Sequence, residues 1–152
     1  MTIKTLFTAS DYESILNRVE SLQPDSPRQW GKMDIAQMMA HCSVPLEQAT
    51  GRTPFKDESN FLSRTLIRWV VFNSIKKGRF GRNAPTAKSF YITDERQFAF
   101  EKERLLSNIK DIYEKSHKGG LMPHPAFGEF TTEQWGQLMH LHLDHHLTQF
   151  SC

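Results

Sequence analysis

Apolar positions along the chain recur three and four residues apart, the spacing of helices that turn one face to a core. The first run, Ile15, Leu16, Val19 and Leu22, follows Ser10 and Glu13, which are spaced as a reciprocal capping box, and Pro24 ends it. QPDSPRQWG, residues 23–31, is a connection rich in turn residues. Asp34 is placed to cap a second helix, which carries Ile35, Met38, Met39, Cys42, Leu46 and Ala49 on one arc and closes at Gly51. Residues 52–60 form a loop. FLSRTLIRWVVFNSIKK then predicts a strongly apolar helix with Arg64 and Arg68 on one side, broken by Gly78 and Gly81, and residues 78–93 are irregular. Thr93, Asp94 and Glu95 supply a cap and negative charge for a helix over residues 94–116. Its buried face is Phe98, Leu105, Ile109, Ile112 and Tyr113, and Lys118, Gly119 and Gly120 stop it. LMPHPAFGEF leads to a last helix, opened by a capping box of Thr131 with Gln134. Four long amphipathic helices with an extra apolar segment in the middle predict an all-α, antiparallel helix bundle.

The last helix holds four of the seven histidines. His142 and His146 are four residues apart, so both project from one face, one turn above the other, and can share a metal ion. Trp135, Leu138, Met139, His145 and Gln149 lie on the same face, which makes the pair part of an inward stripe. Such a pair is by itself a weak signal, since each histidine is individually more often a hydrogen-bonded core or surface residue; it needs a third ligand. His41 supplies one. It sits at the edge of the second helix's apolar arc, on a row with Asp34, Gln37 and Gln48, as suits a bundle interior that is polar in one spot. Pro45 has no N–H for the carbonyl of His41, and the bend it causes either opens a small pocket or is a tolerated kink. Three neutral imidazoles suit zinc, nickel, iron or copper and poorly suit magnesium or calcium. Zinc or nickel is the first expectation, iron the next. Three protein ligands also leave a coordination position open, as in catalytic zinc sites. His117 and His124 lie in or near loops and read as ordinary surface residues.

With 38% hydrophobic and 24% charged residues, the 152-residue chain suits one soluble globular domain over residues 1–152. Residues 61–93 contain no acidic side chain but carry Arg64, Arg68, Lys76, Lys77, Arg79, Arg82 and Lys88. This is either an anion-attracting patch or a solvated basic face balanced by acids elsewhere. A net charge of +2 with no recognised nucleic-acid motif points away from DNA and RNA and toward a small, anionic molecule. Cys42 and Cys152 make no disulfide framework, the first residues lack the apolar core of a signal peptide, and no apolar run approaches the roughly 20 residues that cross a bilayer. A cytoplasmic protein without a membrane partner is expected, and a homodimer remains open.

The segments WGKMDIAQMMAHC, HPAFGEFTTEQW and HLDHHLTQF resemble the DinB-like superfamily of small metalloproteins, in particular a branch whose last helix ends in HHLxQF. The resemblance spans nearly the whole chain and is specific in those three segments. It implies a four-helix bundle with an additional helical segment between the second and third main helices. It also implies metal ligands at His41, His142 and His146. Gln149 matches a residue that commonly follows the pair, while Pro45 stands where an ordinary helix former is expected. Relatives include thiol-dependent transferases and isomerases, in which the metal activates a low-molecular-weight thiol. The expectation is a metal-dependent transferase or hydrolase, with His145 and Asp34 as candidates for an outer partner or proton carrier. The rival class is a non-enzymatic metal-binding or stress-response module whose histidines stabilise the bundle.

Overall fold

A computed structural model of the chain describes residues 2–84 and 86–152; Pro85, inside the stretch expected to be irregular, lies outside the described residues. Among these the regular structure is helical, with five α-helices and no β-strand. The helices are α1 (Ala9–Ser21), α2 (Ile35–Thr50), α3 (Arg68–Lys77), α4 (Phe98–Lys118) and α5 (Thr132–Gln149). A π-helical turn over Ser63–Ile67 runs directly into α3, and a 3-10 turn covers Lys88–Phe90. α2 lies along α4, α1 contacts both α4 and α5, and α5 also contacts α2 and α3. Among the described residues no helix is long and apolar enough to cross a membrane.

The two helices that carry His41, His142 and His146 begin where their sequences say. Asp34 Oδ1 accepts the Gln37 N–H at 2.8 Å while Gln37 Oε1 accepts the Asp34 N–H at 3.0 Å. Thr131 and Gln134 make the same reciprocal pair at 3.1 and 2.9 Å. Each box satisfies two N–H groups that a helix start otherwise leaves unpaired. α2 ends at Gly51, which takes the left-handed conformation at φ 76°. It runs through Pro45 without interruption.

Two expectations need correction. The capping box of Ser10 with Glu13 does not form, because α1 starts earlier: Thr8 is its N-cap, and Asp11 Oδ2 accepts from the Thr8 hydroxyl and the Thr5 N–H. The fourth helix begins at Phe98 and not at residue 94. Arg96 pairs with both Asp94 and Glu101, and the Gln37 side chain donates to the Asp94 carbonyl, so residues 94–97 are held as an approach to the helix. The apolar segment over residues 61–77 is helical but largely unburied, with only Ser63 and Ile75 fully covered. Phe61, Leu62, Leu66, Ile67, Trp69 and Val70 face outward, since the segment touches α5 along one side only.

The core follows the helical arcs. Ile15, Val19, Met38, Met39, Leu46, Leu105, Ile109, Ile112 and Trp135 are wholly buried. Two acids that periodicity did not single out are placed beside it. Glu101 is buried between Arg96 and Arg104, and Arg104 grips both oxygens of Glu47 at 2.8 Å. The N-terminal segment packs directly on α5: Leu6 N–H donates to the Gly136 carbonyl, and a Cβ at Gly136 would lie 2.2 Å from the Thr5 hydroxyl.

Candidate metal centre

His41 is 3% exposed, and its Nδ1 lies 2.8 Å from the carbonyl oxygen of Phe90. A carbonyl can only accept, so Nδ1 carries the proton and Nε2 presents a lone pair. His146 is locked in the same tautomer by a longer chain. Gln149 Nε2 donates to the Trp30 carbonyl at 2.8 Å, which turns Gln149 Oε1 toward His146 Nδ1, also at 2.8 Å. The loop comes close enough for this because Gly31 has φ +85°; a Cβ there would sit 2.4 Å from Gln149 Nε2. Two imidazoles thus turn unprotonated Nε2 atoms into one space.

His142 completes the group. Its Nε2 is 3.0 Å from His41 Nε2, and ligand atoms of His41, His142 and His146 all lie within 4.8 Å of one another. Ring centroids are 4.6–4.9 Å apart in the three pairs. Burial holds all three pKa values down: His41 lies below 6.5, His142 well below it, and His146 falls to about 3, with neighbouring histidines adding repulsion for the last two. The cluster is therefore neutral at pH 7, the form in which imidazole binds metals. Its bonding is also incomplete. A neutral His142 has one proton; placed on Nε2 it bonds His41, and Nδ1, shielded from water, has no partner. Buried imidazole lone pairs in excess of donors are the chemistry that a divalent transition metal satisfies, so the donor set fits such an ion.

Other residues divide as follows. His145 stays outside the cluster; its ring is 5.0 Å from that of His146 and lies against Trp30 and Phe80. The Asp34 carboxylate is committed to capping α2. Cys42 packs in the apolar arc beside Met38, and burial pushes its thiol pKa up, away from thiolate. His117 is exposed on α4. His124 was expected at the surface but is buried among Phe127, Phe130 and Trp135, and its Nδ1 accepts the N–H groups of Ala126 and Phe127. The Phe90 and Trp30 carbonyls are backbone groups, one closing a 3-10 turn and one in a loop, for which the residue types carry no signal. A broad depression of about 390 Å³ along Asp94, Arg96, Phe100 and Glu101 contains none of the cluster histidines.

A model of the family described as protein of unknown function, DUF1569, matches residues 2–152. The chain belongs to DUF1569. No curated protein and no solved structure matches it. In this DUF1569 chain the outer bonds of the cluster are testable through Gln149. Gln149→Leu leaves the three histidines in place but removes the acceptor from His146 Nδ1, and should weaken zinc or nickel binding by about 10–100-fold. A competition titration against a chromogenic chelator reads this; unchanged affinity would mean that the His146 ring is held by packing alone.

Proposed function

We propose that His41, His142 and His146 hold one divalent transition metal, zinc or nickel before iron, in a metal-dependent enzyme of DinB-like type. The observation that carries this is the meeting of three neutral imidazoles from α2 and α5, two of them locked with Nε2 lone pairs inward. In this reading α1, α2, α4 and α5 form the four-helix bundle, and the helical segment over residues 61–77 is the addition between the second and third main helices. A metal held by these three histidines would supply Lewis acidity and would draw the pKa of a bound water or thiol toward neutrality.

The reaction is transfer to, or hydrolysis of, a small anionic molecule, with a low-molecular-weight thiol or water as nucleophile. The nucleophile comes from solution. Cys42 is buried with its thiol protonated, and Cys152 Sγ lies 3.4 Å from the Ser21 hydroxyl. The protein's own residues set the tautomers of His41 and His146, through Phe90, Gln149 and Trp30, and burial keeps the three rings neutral. Two free cysteines accord with a cytoplasmic site of action.

The test is thiol transfer to an electrophilic substrate, measured with several small thiols on metal-loaded and chelator-stripped protein. Turnover should vanish on stripping and return with metal. Equal rates in the stripped protein would overturn the proposal. Metal-dependent melting without turnover would assign the histidines to a non-enzymatic module.

A further inference from the structure

Arg18, Arg28, Arg52, Arg64, Arg68, Arg96 and Arg104 each donate to a carboxylate or carbonyl oxygen. Arg79 and Arg82 are the two that, among the described residues, do neither; Arg82 lies instead over the Trp30 ring, 4.5 Å from its centroid. Both line one cleft, of about 200 Å³, with Trp30, Phe80 and His145 among its walls. Asp144 also lines it, but Arg18 holds that carboxylate at 2.6 Å. The cleft is thus flanked by two cations whose donors meet no carboxylate or carbonyl among the described residues. None of His41, His142 and His146 lines it, but His145 links it to the cluster. The His145 ring stands between them, 5.9 Å from Phe80 and 5.0 Å from His146. Gly78, at φ +67°, ends α3 and turns the chain into the segment bearing both arginines.

We infer that this cleft binds a small planar organic carboxylate, its flat frame against Phe80 and His145 and its charge on Arg79 and Arg82. The inference rests on the proposed function and names the substrate class of that site. A guanidinium fork matches a carboxylate through two parallel hydrogen bonds, and an apolar planar frame gains from aromatic walls. A cleft of about 200 Å³ has room for a single ring with its carboxylate. Inorganic anions would use the guanidinium groups but not the rings.

Benzoate is the probe, titrated by calorimetry into zinc-loaded and chelator-stripped protein. Saturable binding is expected, weakened about tenfold or more in benzamide, which keeps the ring and loses the charge. The double variant Arg79→Ala, Arg82→Ala, at two exposed positions, should lose benzoate affinity by a similar factor with its melting temperature unchanged. Benzamide binding as tightly as benzoate, wild-type affinity in the double variant, or no saturation would each overturn the inference. Phosphate binding as tightly as benzoate would overturn the planar class. Benzoate binding in a protein that takes up no zinc would leave the cleft standing and the metal proposal fallen; zinc uptake without benzoate binding would do the reverse.

Discussion

Replacing His142 with alanine is expected to remove nearly all bound zinc or nickel, lowering affinity by more than about 100-fold, because loss of even an outer partner of a ligand costs 10–100-fold. His142 Nε2 lies 3.0 Å from His41 Nε2, and without it only two imidazoles remain. His146→Ala should act alike. His117→Ala should not, since that ring is exposed on α4 and bonds the Tyr113 carbonyl. Alanine is the strongest helix former, so α5 is expected to persist, and circular dichroism checks that it does. The stability readout follows by mass action. Metal at about 100 times its Kd should raise wild-type stability by about 2.7 kcal/mol and leave the His142 variant unmoved. Elemental analysis of untagged protein reads the first effect directly. Equal metal in the His142, His146 and His117 variants would end the assignment.

Acid should begin to destabilise the metal-free protein before its carboxylates titrate, and His124 should account for about 3.5 kcal/mol of the loss by about pH 4. Burial, and after it the charge of Arg68, pulls the His124 pKa from 6.5 to about 4. Its Nδ1 already accepts two backbone N–H groups, which only the unprotonated nitrogen can do. The unfolded chain therefore binds the proton more tightly than the folded one. Stability is whole above pH 6.5, falls as the pH drops toward 4, and changes no further through this group below that. The two values stand roughly 2.5 pH units apart at about 1.4 kcal/mol each. His41, His142 and His146, held neutral by burial, act in the same direction, so His124 must be isolated by substitution. His124→Asn keeps an acceptor for the loop N–H groups and does not titrate. Denaturant melts of chelated wild type and variant across pH 4–7 should show a shallower fall for the variant; parallel curves would mean that His124 titrates normally in the folded state.

The helices were legible because their signals are local. The Asp34–Gln37 and Thr131–Gln134 boxes, Gly51, and the arcs of α2 and α5 act within a few residues, and the structure forms them as read. The errors came where a distant group decided. Asp94 looked like a helix start, but Gln37, 57 residues away, takes its carbonyl, and Arg96 takes its carboxylate. His124 looked exposed because it lies in a loop, yet Trp135 and Phe130 close over it. The apolar run over residues 61–77 was rightly helical, but periodicity reports a helix's own faces and not whether a neighbour covers them.

For the site, sequence alone determined which imidazoles share a face: the four-residue spacing of His142 and His146 is helix geometry, and His41 falls on the inward edge of α2. Only the tertiary structure decided that 101 residues of separation close to 3.0 Å between His41 and His142. The same holds for the protonation of the rings. Tautomers are set by the Phe90 carbonyl and by Gln149 turned by the Trp30 carbonyl, and neutrality is set by burial. A backbone carbonyl is the same in every residue type, and desolvation depends on what packs around a group, so neither is written in the identity of the residue that supplies it.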